Sequence, residues 1–239
     1  MGSVFFFVPV LQQKFISGES AGSCLFADSA WFTMRNKTYA FAAKGGTNDE
    51  PHNHNDLGSF ILADESGQLV CDLGCGEYTR QYFEPDTRYS ILCNSSLGHG
   101  VPIIGGEAQR EGAEFFAALC KTENGICIDL THAYQTDAIK HIKRRFGFSE
   151  NAVTLNDEFS FYRPVPVTER FVSRIKPEIK ENSVQIGNLR ITAETGTPTV
   201  TTQRHLEHGG GGSATVYLID FALPPQTGFM FQAEFAFSY

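Results

Sequence analysis

The chain has 239 residues, enough for one large domain or two small ones, and carries a formal charge of −8. That charge makes a nucleic-acid groove or an anionic membrane surface a poor fit unless the basic residues cluster. Phe occurs 21 times and Gly 23 times while only 19% of residues are charged, a balance that suits an aromatic core joined by glycine turns and excludes a disordered chain.

The start, Val4 to Leu11, is too short for a membrane helix of roughly 18 residues and lacks the basic flank of a secretory signal, so no membrane partner and a cytoplasmic location are expected. The cysteines Cys24, Cys71, Cys75, Cys93, Cys120 and Cys127 have neither the density nor the spacing of a disulfide scaffold. They read as buried thiols in a reducing compartment. Cys71-x-x-x-Cys75 lacks the second pair that would complete a zinc site and reads as core.

Short apolar segments then follow with turn punctuation between them. Lys37 to Ala42 predicts a strand, and Ser59 to Ala63, Asp64-Glu-Ser-Gly67 and Gln68 to Asp72 predict a hairpin. Glu107 to Leu119 is rich in Ala and Glu but is interrupted by Gly112, and is assigned as strand. Ile126 to Leu130 predicts another strand. Lys143 to Phe148 and Ala152 to Phe159 alternate on either side of Ser149-Glu-Asn, a second hairpin, and its Lys143-Arg-Arg run reads as an exposed strand face. Strands continue through 168–174, 184–186, 189–193 and 215–221, with Gly209 to Ser213 as a mobile loop inside the domain. Many short strands at regular spacing predict an all-β, two-layer antiparallel β-sandwich filling residues 1–239 as a single domain.

Histidine is scarce, yet two occur as His52-Asn53-His54 just before a predicted strand. On an extended backbone residues i and i+2 face the same side, so the two imidazoles could share a ligand; the alternative is a polar turn, since Asn53, Asn55 and Asp56 are turn formers. Asp72, at the end of the returning hairpin strand, and His99, in Ser96-Leu-Gly-His-Gly100, extend the set, because two histidines and a carboxylate suffice for a zinc site. A cupin arrangement also asks for Gly, five residues and His-x-His, which Gly46 and the histidines satisfy, but Gly58 and Ser59 stand where its Glu is required.

Three separated segments carry a broader likeness. Lys44 to Phe60, Cys71 to Tyr78 and Arg88 to Gly106, with His-x-His, Asp, Tyr and His in that order, resemble the β-sandwich domain of heparinase II/III-like polysaccharide lyases, a domain of the supersandwich type. The resemblance implies that His54, Asp72 and His99 are zinc ligands, that His52 is an active-site histidine and that Tyr89 lines the substrate cleft. It implies β-elimination on an anionic uronate polysaccharide, which requires donors around the carboxylate, a base for C5 and an acid for the departing O4. Arg80, Arg88 and Arg110, near the motif in sequence, are the candidates for binding the polymer's carboxylate or sulfate groups; Lys140 to Arg145 is a second basic cluster. The family's lyases also carry an amino-terminal α-helical toroid, which is not expected here, so a toroid domain or chain is an implied partner. A carbohydrate-binding sandwich without chemistry is the alternative reading.

Overall fold

The computed structural model describes residues 21–209 and 212–238. Val4 to Leu11 and the central glycines of the glycine loop, Gly210 and Gly211, lie outside the described residues. Two antiparallel sheets pack face to face, as expected.

The smaller sheet holds β1 (Gly22–Phe26), β2 (Trp31–Arg35), β3 (Ala40–Lys44), β5 (Phe60–Asp64) and β6 (Gly67–Val70) in the order β1-β2-β3-β5-β6, and β4 (Gly46–Asn48) leaves to join the other sheet. β3 and β5 are buried on both faces, which is why they read as continuous apolar runs rather than alternating ones. The turn between β5 and β6 is set by Asp64, whose Oδ1 accepts from the Ser66 amide at 2.8 Å and the Ser66 hydroxyl at 2.6 Å.

The larger sheet contains β7 (Pro102–Ile104), β8 (Gly112–Thr122), β9 (Gly125–His132), β10 (Ile139–Phe148), β11 (Ala152–Ser173), β12 (Glu178–Lys180), β13 (Ser183–Ile186), β14 (Leu189–Ala193), β15 (Pro198–Leu206) and β16 (Ser213–Phe237), with β4 at one edge. Its spine is the pairing of β11 with β16, which runs from Ala152 opposite Ala236 to Ser173 opposite Tyr217 with irregular register around Val165. The glycine loop joins β15 to β16, a hairpin whose last pair is Leu206 opposite Ser213. The Ala- and Glu-rich stretch is strand from Gly112 onward, so burial of Phe115 and Ala117 against the core outweighs helix propensity.

Phenylalanines from both layers meet at Phe60, on β5. Its ring centroid lies 5.9 Å from that of Phe41, 5.0 Å from Phe146, 5.9 Å from Phe171 and 5.4 Å from Phe235. Phe60 immediately follows the His52–Ser59 loop, so the packing of this ring ties the loop's end to β10, β11 and β16.

Three expectations need correction. The Lys143-Arg-Arg run is not wholly an exposed face: strand alternation turns Arg144 inward between Ile142 and Phe146, where it is 0% exposed. Its charge is met by Asp157, its register partner on β11, and its Nη2 also donates to Glu169 at 2.9 Å. The cysteines are free, but only Cys71 and Cys93 are buried, while Cys24 and Cys120 are exposed. Helical turns also interrupt the strands, among them α1 (Arg80–Phe83), capped by the Thr79 hydroxyl, and α2 (Pro85–Arg88), opened by proline. Thr79 and Pro85 are the local signals for these two.

Burial first, and then the neighbouring Asp157, push the Glu169 carboxyl well above the usual carboxylate range, against the opposing pull of Arg144. Tyr134, also buried, faces the same cluster. A raised folded value contributes stability that is fully present below the unfolded value of about 4.3 and is lost as pH rises through the folded value. Glu169→Gln should therefore match the parent near pH 4 and become the more stable form as pH rises. Urea unfolding across pH 4–9 measures this, and a parent that gains on the variant with rising pH contradicts it.

Candidate metal centre and cleft

The loop from Glu50 to Ser59 and the segment from Leu92 to Val101 lean on each other. The Asn55 amide donates to Asn94 O at 3.0 Å. Gln109, buried, clips the loop by its side-chain amide: Oε1 accepts from Leu57 N at 2.9 Å and Nε2 donates to Leu57 O at 2.8 Å, while the Gln109 amide donates to Ser96 Oγ at 2.8 Å. Sequence reasoning missed Gln109, because a lone glutamine carries no spacing signal.

His99 and Asp72 meet at the base of this loop. His99 Nε2 lies 2.8 Å from the Cys93 carbonyl, which can only accept, so Nε2 carries the proton. Nδ1 then faces Asp72 Oδ2 at 3.1 Å, buried and without the alignment of a hydrogen bond. Two lone-pair atoms brought together in this way call for a cation between or beside them, a proton or a metal ion. Burial depresses the His99 imidazole, but Asp72 outweighs it and the net shift is upward. For Asp72, burial alone would raise the carboxyl; electrostatic attraction to His99 outweighs it and holds the group below its ordinary range.

His54 packs beside this pair, its ring centroid 5.5 Å from that of His99 and its Nε2 3.4 Å from the hydroxyl of the buried Tyr82. Burial, and then the proximity of His99, lower it to about 4, so it is a neutral imidazole at pH 7, the form that ligates metals. The donors that come within 4.8 Å of one another are Asp72, His99 and Asp56. Asp56 was not among the expected ligands, whereas His54 was expected and does not fall within this group. It is also bound by the buried ammonium of Lys44 at 2.5 Å, so its charge is already partly met. The chemistry of this donor set, imidazole and carboxylate at a buried point, fits a divalent ion such as zinc.

His52 does not share that point. The backbone there is a turn rather than a strand: Asn53 N donates to Glu50 O at 3.2 Å, and His52 has φ 61° and is exposed. Pro51 at the second position followed by a positive φ at the third is the pattern of a type II turn, where glycine is the usual occupant. The expectation of two imidazoles on one extended face is therefore replaced by one histidine buried and one exposed.

The remaining expected residues occupy different settings. Tyr89 is half-buried at the end of α2, with the Arg88 guanidinium 5.5 Å from its ring centroid, and burial raises its phenol. Arg88 Nη2 donates to Asn53 O at 2.5 Å, so Arg88 braces the histidine loop. Arg80 is exposed and paired with Glu84 at 2.6 Å. Arg110 is exposed, receives Asn48 Nδ2 on its carbonyl at 2.8 Å, and lines a cavity of about 460 Å³ together with Arg163 and Glu107.

No family model matches the chain, and no curated protein matches it. Solved structures do. Heparinase III superposes with a TM-score of 0.70 at 17% identity over 91% of this chain and 37% of that one. Heparan sulfate lyase HepC from Pedobacter heparinus gives 0.72 at 13% identity over 90% and 36%. A 4-alpha-glucanotransferase from Thermococcus litoralis gives 0.59 at 12% identity over 91% and 40%. The chain spans little more than a third of the two lyases. The described residues thus share the β-sandwich fold of a part of heparinase III and of HepC.

Proposed function

We propose that this chain is the zinc-binding β-sandwich of a polysaccharide lyase acting on a uronic-acid polymer, with His54, Asp72 and His99 holding the metal and His52 facing the cleft. The observation that carries the reading is the buried approach of His99 Nδ1 to Asp72 Oδ2, with the imidazole tautomer locked by the Cys93 carbonyl, beneath a loop that lifts a second histidine to the surface. Zinc, when bound, would supply a fixed positive charge that fastens the histidine loop to the His99 segment.

In β-elimination the C5 proton is removed, its bonding electrons form the C4–C5 double bond, and the C4–O4 bond breaks as O4 takes up a proton. His52, exposed at the rim, has the chemistry to accept the C5 proton or to donate to the neighbouring carboxylate. Tyr89 stays a protonated phenol at neutral pH and can donate a hydrogen bond at the departing oxygen. Arg80 and Arg110 offer exposed guanidinium groups to carboxylate or sulfate. Because the two lyases are about two and a half times as long, a second domain or chain, an α-helical toroid, is expected to complete the cleft.

The metal assignment predicts one zinc per chain in protein stripped with a chelator and reloaded, with His99→Ala and His54→Ala each losing it and becoming less stable. Elemental analysis that finds no zinc in reloaded parent protein overturns the assignment.

The conformation of His52 separates chemistry from scaffolding. A non-glycine residue in the left-handed region costs about 1 kcal/mol, so His52→Gly should leave stability unchanged or raise it by up to about 1 kcal/mol and keep the zinc. Reconstituted with a toroid domain on a uronate polymer, the same variant should form unsaturated ends at least ~10²-fold more slowly than the parent, read by ultraviolet absorbance. Full activity in the variant would remove His52 from the chemistry.

A further inference from the structure

Two arginines of the larger sheet, Arg144 and Arg170, and Arg174 just past the end of β11 reach the segments that bear the candidate centre, and each ends on a main-chain carbonyl. Arg170 Nη1 donates to Leu97 O at 2.8 Å and Arg174 Nη2 to Leu73 O at 2.9 Å. Arg144 differs from both: its Nη1 donates to two carbonyls, Gly58 O at 2.9 Å and Gly100 O at 2.7 Å. Gly58 closes the loop that carries His54, and Gly100 directly follows His99. One nitrogen thus holds both histidine-bearing segments, and two acceptors of a single planar –NH₂ group lie about 5 Å apart. Asp157 and Glu169 fix the other side of the guanidinium, so it cannot swing to follow either segment alone.

We propose that Arg144 is a positioning residue for the candidate metal centre: it sets the separation of the His54 and His99 segments before any ion arrives. The proposal rests on the metal reading above and adds that ion affinity depends on a guanidinium that contacts no ligand atom. Lysine keeps the charge but has no planar fork with which to hold two carbonyls and two carboxylates at once.

The test uses two variants of the full chain. Arg144→Lys preserves the charge, and Arg144→Met combined with Asp157→Asn and Glu169→Gln removes the whole buried cluster without leaving a bare charge. Arg145→Gln, on the same strand but pointing outward toward Glu158, is the control. Zinc affinity is measured by competition with a chromophoric chelator, the cobalt-substituted absorption spectrum reports ligand geometry, and hydrogen exchange is followed at residues 54–59 and 98–101.

Folded Arg144 variants should bind zinc at least ~10-fold more weakly, show an altered cobalt spectrum, and exchange faster in both segments together, while Arg145→Gln stays within about twofold of the parent. Parental affinity and exchange in a folded Arg144 variant overturn the proposal. Failure of both variants to fold also rejects it, since Arg144 would then be a residue of the fold as a whole. If the parent itself binds no metal, the metal reading fails alone. Exchange then decides the role of Arg144: acceleration confined to the two segments supports it, and acceleration across the sandwich does not.

Discussion

A guanidinium with no access to water must find an acceptor for each of its five N–H groups inside the protein, and Arg144 does. Nε donates to Asp157 at 3.0 Å, Nη2 to Asp157 at 2.6 Å and to Glu169 at 2.9 Å, and Nη1 to the carbonyls of Gly58 and Gly100. An unpaired buried charge would cost several kcal/mol, so this arrangement is demanded as a set. Its acceptors come from β10's partner strand β11 and from two loops of the site. The geometry of the loops is therefore coupled to the register of β10 against β11, in which Arg144 lies opposite Asp157.

Around this polar point the core is aromatic. Phe60 on one side of the loop and Phe146, two residues beyond Arg144 on β10, are in ring contact, with centroids 5.0 Å apart. Apolar burial thus fastens the layers to each other, while the directional hydrogen bonds of Arg144 decide where the chain leaving each layer goes. Hydrophobic packing alone has no directional preference strong enough to set two loops against one another. Gln109 performs the same task at Leu57 with a neutral amide, and Arg88 does so at Asn53 from the outer side.

Strand periodicity made the sandwich legible in the sequence, because period-2 alternation along β9, β10 and β11 marks one wet and one dry face. The same periodicity places Arg144 inward, but a charge run reads as solvated unless its carboxylate partners are known. Those partners, Asp157 and Glu169, lie 13 and 25 residues away. Asp72 and His99 were legible through the order of the three motif segments, and the structure brings them to 3.1 Å. Asp56, Lys44 and Tyr82 carried no such order, and their place beside the histidines depends on tertiary contacts that local pattern does not encode. The helical turns α1 and α2 are too short to generate a periodic signal, so only their caps could announce them.

The adjacent histidines show how a turn separates two roles that spacing alone would merge. Had residues 52–54 been extended, both rings would have faced one point and competed for one environment. The Pro51-His52 turn instead sends His54 into a dry site, where burial and His99 keep it uncharged, and leaves His52 in water. Asn53 between them is held from both sides: its amide donates to Glu50 O and its carbonyl accepts from Arg88. The backbone joining the two histidines is thus pinned at its midpoint, so ordering the buried ring also orders the exposed one. A metal bound at the base of the loop would act on the cleft through that short, braced connection of one residue.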